Sequence, residues 1–219
     1  HLGQLLDNEE YIGRALAHWN IAFDRDSQNV NHAAMSMFAA HELGSATGDS
    51  QYDTIQAEAA SKIIACRSGD DNYDGWFAAE PDGKPAYSVV GDGLPGAALG
   101  FWATQNYDDS VLEPVRTALL RYVSFLSAVS SNALDIAKVY TGDQEVWFFP
   151  IEQDGDWHVG QNSQYLSDAW AAILTYGVTG DESALRVALD QINWVLGRNP
   201  YGMCMLHGHG TVNPVAAHH

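Results

Sequence analysis

The sequence predicts an all-α fold built from antiparallel helical hairpins. Apolar residues recur at helical spacing along most of the chain. Runs typical of strands are sparse, and the best of them are residues 87–90 and 146–149. The apolar fraction of 46% excludes a disordered chain, and 219 residues suffice for one sizeable core. The helical stripes lie in residues 12–23, 34–43, 119–126, 166–176 and 185–196.

Two similar segments indicate where the helical hairpins turn. Residues 46–57 read ATGDSQYDTIQA, and residues 178–189 read VTGDESALRVAL. In each segment the glycine can take the left-handed conformation that closes a helix. The aspartate after it can cap the next helix and complement its positive end. Each Thr-Gly-Asp segment is therefore predicted to be a tight turn between two helices.

These turns define the expected pairs of helices. We expect residues 31–47 and 51–66 to form one antiparallel hairpin, and residues 163–178 and 182–196 to form another. Both turns should lie at the same end of the molecule. Repeated hairpins of this kind build a solenoid or a closed ring. The expected organisation is a single helical domain over residues 1–219.

The charge balance narrows the class of partners. The chain has 28 acidic and 10 basic residues, a formal net charge of −18. Such a polyanion repels nucleic acids and acidic membrane surfaces, so neither is an expected partner. No apolar stretch approaches the length of a membrane span. An acidic chain with few lysines suits an extracellular or cell-surface protein. Cys66 and Cys204 allow at most one disulfide, and two buried free thiols are the favoured interpretation.

Three long loops are candidates for function, namely residues 68–94, 141–162 and 197–219. They are rich in glycine, aspartate and aromatic residues. Flat aromatic rings such as those of Trp76 and Trp157 can stack on the apolar faces of sugar rings, while nearby polar groups bind hydroxyls. The alternative is that these aromatic side chains cover the core.

The C-terminal loop has the most specific motif. Residues 193–202 read NWVLGRNPYG, and the chain continues through Gly-His-Gly and a proline to His218. This order and spacing resemble the C-terminal part of the catalytic module of glycoside hydrolase family 9, which contains cellulases and glucosaminidase-like enzymes. Residues 157–162, WHVGQN, resemble the segment that opens a barrel helix in part of that family.

The resemblance implies an (α/α)6 barrel that hydrolyses β-1,4-linked glucans or related amino sugars with inversion of configuration. By its position in the motif, His218 would bind sugar hydroxyls beside the cleavage point. With the loop aromatics, the predicted substrate-binding residues are His218, Trp157, His207, Trp76 and Asn162. Two other interpretations of the histidine-rich C-terminal loop are a plain polar loop and a metal site, although the histidine spacing matches no zinc pattern.

The sequence also departs from the family pattern. It has no counterpart of the paired aspartates in the family's Asp-Ala-Gly-Asp segment, and the acid glutamate would lie beyond residue 219. We therefore expect a fragment of a larger catalytic module, which supplies cleft and sugar-binding residues without the catalytic carboxylates. The rest of the same polypeptide would then be its partner, beside an oligo- or polysaccharide.

Two other functions fit the same pattern. One is a non-catalytic helical protein, structural or filament-forming, that reuses the toroid fold. The other is a different sugar-acting toroid, such as an epimerase or an unsaturated-glycan hydrolase. Those enzymes need His or Asp pairs on inner loops, which the sequence does not reveal.

An acidic segment in the first long loop suggests a metal site. Asp70, Asn72 and Asp74 fit the first half of a calcium loop, Asp-x-Asn-x-Asp-Gly. The glutamate expected at loop position twelve is replaced by Pro81. A solvated acidic turn is the favoured interpretation, with calcium as the alternative, and no other cofactor is expected. Asp92, between two glycines, is a further candidate loop carboxylate.

Overall fold

The computed structural model describes residues 3, 8–86, 92–106, 108–142, 146–147 and 161–214. Within these ranges the fold is mainly helical. The helices are α1 (Glu9–Ala22), α2 (Val30–Thr47), α3 (Gln51–Ala65), α4 (Leu94–Thr104), α5 (Asp109–Val129), α6 (Gln161–Thr179) and α7 (Glu182–Leu196). Two short antiparallel strand pairs are present, β1 (Arg67–Gly69) with β2 (Asp74–Phe77), and β3 (Val139–Tyr140) with β4 (Val146–Trp147).

The helices pack as consecutive hairpins in two rows. Helix α2 packs on α3, and α6 packs on α7, so both predicted hairpins are confirmed. Helices α2, α4 and α6 lie side by side in one row, while α3, α5 and α7 form the second. Fully buried alanines of α2, α4 and α6 allow the helices to approach closely, and burying this apolar surface drives the packing. The predicted all-α class is confirmed.

The Thr-Gly-Asp turns have the predicted conformation. Gly48 and Gly180 have φ of 70° and 71°, in the left-handed region that favours glycine. The Asp181 carboxylate accepts a hydrogen bond from the Ser183 amide at 2.7 Å and caps α7. The Asp49 carboxylate accepts from the Gln51 amide at 2.9 Å at the start of α3. The location of both turns at the same end of the molecule stays a prediction.

The first long loop contains a strand pair that the sequence analysis did not predict. Strand β2 is only four residues long, and its side chains pack against α5. Gly75 permits this approach, because a Cβ there would lie 2.2 Å from the backbone oxygen of Arg121. Of the predicted strand runs, Val146–Trp147 is confirmed as β4, and residues 87–90 lie outside the described residues.

Two further expectations concern the cysteines and the membrane. Cys66 and Cys204 are both buried and free, as the favoured interpretation predicted. Burial raises the pKa of the Cys66 thiol to about 11. Among the helices described, none is long and apolar enough to cross a membrane.

Candidate functional site

A small cavity lies beside the first long loop, where helices α5 and α6 meet strands β2 and β3. Its volume is about 30 Å³, enough for one or two water molecules. The walls come from β2, from the start of α4, from α5, from β3 and from the first turns of α6. We call it the Asp168 cavity, and its polar and aromatic lining residues are Trp76, Phe77, Asp92, Tyr122, Phe125, Lys138, Tyr140, Gln164 and Asp168.

Asp168 of α6 is the buried acid of this cavity. Only 1% of the residue is exposed, and its Oδ1 accepts a hydrogen bond of 2.8 Å from the Tyr122 hydroxyl. Burial raises the pKa of Asp168 to about 7, although the Tyr122 hydrogen bond acts in the opposite direction. Near neutral pH the carboxyl therefore exists in both protonated and ionised forms.

Tyr122 of α5 links this acid to the start of α4. Its hydroxyl lies 2.8 Å from Asp168 Oδ1 and 3.2 Å from the backbone oxygen of Asp92. A phenol has one proton, so the two oxygens compete for a single donor. Burial, followed by the nearby charges of Asp168 and Asp92, raises the pKa of Tyr122 well above its ordinary value. Tyr122 thus remains a protonated donor.

Gly93 fixes the geometry of this junction. Its amide donates a hydrogen bond of 3.0 Å to Ser167 Oγ of α6. A Cβ at this position would lie 2.2 Å from the backbone oxygen of Ser167, so only glycine fits without a shift. The close contact of α4 with α6 brings the Asp92 backbone beside Asp168. The cavity wall is therefore set by backbone packing.

Trp76 of β2 contributes an unpaired donor. The residue is 6% exposed, and its buried indole N–H has no hydrogen-bond partner among the residues described. A buried donor without a partner costs about 1–3 kcal/mol. The sequence analysis proposed Trp76 as a stacking platform for sugars, but its ring is covered by neighbours such as Tyr140. Its N–H is the polar group of this side chain that the described residues leave unpaired.

The acidic turn between β1 and β2 already satisfies its own carboxylates. Asp70 Oδ1 accepts from the amides of Asn72 and Tyr73 at 2.8 and 3.0 Å, and its Oδ2 accepts from the Tyr140 hydroxyl. Partial burial opposes these hydrogen bonds, yet they hold the pKa of Asp70 below its ordinary value. Asp74 Oδ2 accepts from Arg121 Nε at 2.8 Å.

This arrangement favours the acidic-turn interpretation of Asp70, Asn72 and Asp74. In the described part of the chain, no three His, Cys, Asp or Glu side chains lie close enough together to hold a metal ion. A calcium ion would have to displace Arg121 from Asp74 and Tyr140 from Asp70. Calcium binding stays an untested prediction.

The other predicted substrate-binding residues are only partly described. Asn162 is half-buried in the first turn of α6, two residues before the cavity residue Gln164. His207 is exposed in the C-terminal segment, which the Met205 amide ties to Val195 of α7 at 2.8 Å. Trp157 and His218 lie outside the described residues. That His218, Trp157 and His207 line one cleft stays a prediction.

The sequence analysis missed the central residues of the cavity, Asp168, Tyr122 and Gln164. One signal could have found the acid. Asp168 lies three residues after Tyr165 and four before Ala172, on the buried face of an alanine-rich helix. An acid in such a stripe is rarely buried without a partner.

Comparison with known proteins identifies the family. The model of glycosyl hydrolase family 9 matches residues 24–219. A search among curated proteins gave no significant match. The C-terminal motif predicted this family, and the match extends the similarity through the N-terminal hairpin of α2 and α3. The chain therefore belongs to glycosyl hydrolase family 9.

Proposed function

We propose that this chain forms part of the catalytic module of a secreted, inverting β-glycan hydrolase. Its substrates would be β-1,4-linked glucans or amino-sugar oligomers. The observation that carries this proposal is the family match over residues 24–219, which makes the chain a glycoside hydrolase module with a carbohydrate substrate. The net charge of −18 is compatible with neutral or cationic glycans and disfavours acidic ones.

The chain's own contribution is the sugar-binding surface. We assign this role to His218, Trp157, His207 and Asn162, with the Trp76 N–H as an additional polar contact. Aromatic rings at the first two loops and amide or imidazole groups beside them supply both kinds of contact that a sugar ring needs. The support is that Trp76 of the first long loop and the first turns of α6, which contain Asn162, lie at the Asp168 cavity.

The catalytic carboxylates belong, in this proposal, to polypeptide outside the 219 residues. Inversion needs a base and an acid about 6.5–9.5 Å apart, with room for a water molecule between the base and the sugar. Asp168 has the raised pKa of an acid catalyst, but it is 1% exposed and already binds Tyr122. We therefore assign neither catalytic role to it.

An apolar stripe on α6 supports a larger module. Leu166, Trp170 and Ile173 share one face of the helix and are 41%, 42% and 39% exposed. Phe38 of α2 stacks on Trp170 with ring centroids 5.1 Å apart. Exposed apolar surface of this kind is commonly covered by another element. The intact mass of the protein from its native source tests this point, because a mass near 24 kDa would contradict a larger module.

The activity test uses the 219-residue chain with cellohexaose and with chitosan hexamers. We expect binding but no release of reducing ends. The variants Trp157→Ala and His218→Ala should each weaken binding by about 1 kcal/mol, through lost stacking and lost hydrogen bonds. His18→Ala is the matched control, since His18 is exposed and lies before the matched region.

Two outcomes would contradict the proposal. Absence of binding to every oligosaccharide would favour the non-catalytic structural alternative. Turnover that disappears when an aspartate or glutamate of this chain is replaced would show that the catalytic pair lies within it.

A further inference from the structure

We propose that a proton on Asp168 reverses the hydrogen bond between Asp168 and Tyr122, and that the reversed bond fastens the start of α4 to α5. The start of α4 is the segment Asp92–Gly93, which directly precedes the first helical residue. The inference goes beyond the proposed function, because it concerns a proton-controlled contact within the fold and needs no sugar. It follows from three oxygen atoms that compete for one hydroxyl proton.

The three oxygens meet at the wall of the Asp168 cavity. The Tyr122 hydroxyl oxygen lies 2.8 Å from Asp168 Oδ1 and 3.2 Å from the backbone oxygen of Asp92. When Asp168 is ionised, both neighbours of the hydroxyl are acceptors, but a phenol has only one proton to donate. One of the two contacts is then a hydrogen bond, and the other brings two oxygens together without a proton between them.

The charge on Asp168 decides which contact receives the Tyr122 proton. A hydrogen bond to an ionised acceptor is about twice as strong as one between neutral groups. An ionised Asp168 therefore accepts from Tyr122, and the Asp92 backbone oxygen receives no proton from this hydroxyl. The shorter of the two distances, the one to Asp168 Oδ1, agrees with this state.

A protonated Asp168 supplies the missing proton, which it takes up from solvent. Its carboxyl O–H can donate to the Tyr122 oxygen, and the Tyr122 O–H can then donate to the Asp92 backbone oxygen. Both contacts become hydrogen bonds, and they run in one direction from α6 through α5 to the start of α4. Hydrogen bonds in such a chain polarise and strengthen one another. The start of α4 is therefore held more firmly when Asp168 is neutral.

The other titratable groups around Asp168 set the pH at which this proton binds. They come from the start of α4, from α5, from the chain at β3 and from α6 itself, and they are Asp92, Tyr122, Lys138, Tyr140 and Tyr165. Helix α4 carries no charged side chain, and no charged residue of α7 lines the cavity. Lys138 favours the ionised acid and Asp92 the neutral one. Burial is the largest influence and raises the pKa of Asp168 to about 7, so the reversal occurs near neutral pH.

Backbone ¹³C NMR of the folded 219-residue chain tests the reversal. The carbonyl carbon of a peptide group shifts downfield when its oxygen accepts a hydrogen bond. The Asp92 carbonyl signal, read through the Gly93 amide in an HNCO spectrum, should therefore shift downfield as pH falls through about 7. Ordinary aspartate carboxyls titrate near 3.9, well below this range.

Two tyrosine variants separate the reversal from a general effect of charge. Tyr122→Phe removes the hydroxyl, so the Asp92 carbonyl signal should no longer move with pH although the Asp168 carboxyl still titrates. Tyr140→Phe is the matched control, because Tyr140 lines the same cavity but its hydroxyl donates to Asp70. This control should retain the full downfield shift.

Three outcomes would overturn the inference. A fixed Asp92 carbonyl signal in the parent protein would show that Tyr122 donates to the same oxygen at both pH values. An upfield shift on acidification would show that the contact with Asp92 weakens. A downfield shift that persists in Tyr122→Phe would assign the change to the charge of Asp168 alone. The first two outcomes need only the parent protein, so they decide the question even if Tyr122→Phe does not fold. None of them bears on sugar binding, and the proposed function is tested separately.

Discussion

Two aspartate–tyrosine pairs, Asp70 with Tyr140 and Asp168 with Tyr122, have carboxyl pKa values that are shifted in opposite directions. Asp70 accepts from Tyr140 and from two backbone amides, and its pKa is lowered. Asp168 accepts from Tyr122 alone, and burial raises its pKa to about 7. The side-chain partner is the same in both pairs. The difference comes from the surroundings, which are backbone donors and solvent for Asp70 and near-complete burial for Asp168.

This difference separates acids whose hydrogen bonds are made locally from an acid whose pKa burial raises. The carboxylates of the acidic turn follow a metal-like motif, yet local hydrogen bonds and Arg121 already satisfy them. Asp168 follows no motif, but it lines the same cavity as the buried Trp76 N–H, which has no hydrogen-bond partner within the described part of the chain. Unused hydrogen-bonding capacity in a buried place, rather than motif spacing, therefore identifies the candidate ligand site.

The largest expected effect is on the pH dependence of stability. The folded protein keeps the Asp168 proton up to about pH 7, whereas an aspartate in the unfolded chain releases it near 3.8. The folded state thus binds more protons between these values, and the free energy of unfolding falls as pH rises from 4 to 7. Three pKa units correspond to about 4 kcal/mol. Asp168→Asn should abolish this fall in urea titrations at several pH values.

Asp70 should affect the pH dependence of the free energy of unfolding in the opposite direction, and Asp70→Asn tests this. Because the folded pKa of Asp70 is lowered, its contribution to stability is present above pH 4 and is lost as pH falls further. The two variants should therefore differ from the parent protein in separate pH ranges. The same pH profile for both variants would contradict the distinction between the two pairs.

A smaller effect is expected from removing each tyrosine hydroxyl. At pH 8, Tyr122→Phe leaves the buried Asp168 carboxylate without its donor and should lower the free energy of unfolding by about 2–3 kcal/mol. Tyr140→Phe leaves Asp70 with its two backbone amides and solvent, so the loss should be below about 1 kcal/mol. Chemical denaturation measures both losses of stability. Equal losses for Tyr122→Phe and Tyr140→Phe would contradict the difference between the two aspartate–tyrosine pairs.

The smallest effect is expected at the Asp74–Arg121 ion pair. The side chains are 58% and 36% exposed, respectively, and such surface pairs contribute about 0.2–1 kcal/mol. Asp74→Asn should lower the free energy of unfolding by no more than this. Calcium at about 10 mM, above the dissociation constants of weak extracellular sites, should leave the melting temperature unchanged. A calcium-dependent rise that Asp74→Asn abolishes would restore the calcium interpretation.

Local chemistry explains what the sequence could predict. The hairpin turns at Gly48 and Gly180 depend on residues adjacent in the chain, so their tripeptides sufficed to locate them. The family likewise followed from a contiguous C-terminal motif. Strand β2 was missed because its pairing depends on packing against α5, which no local pattern reveals.

The candidate site was harder to predict because its residues come from separate elements that meet only in the folded protein. Tyr122 and Asp168 are 46 positions apart, and Trp76 belongs to a third element. Their sequence patterns are those of ordinary helical or loop residues, and helix packing, including the close contact of Gly93 with Ser167, brings the walls together. Of the sequence-predicted binding residues, Trp76 lies in this cavity, but it offers its N–H rather than an open ring face.

The most direct test of the contrast is a carboxyl ¹³C NMR titration of the aspartates, assigned with Asp168→Asn and Asp70→Asn. The Asp168 resonance should titrate with a pKa of about 7, and the Asp70 resonance should titrate below 3.8. A midpoint for Asp168 near the ordinary aspartate value would show that water reaches this carboxyl freely. That result would contradict the contrast between a buried acid at position 168 and a solvated, hydrogen-bonded acid at position 70.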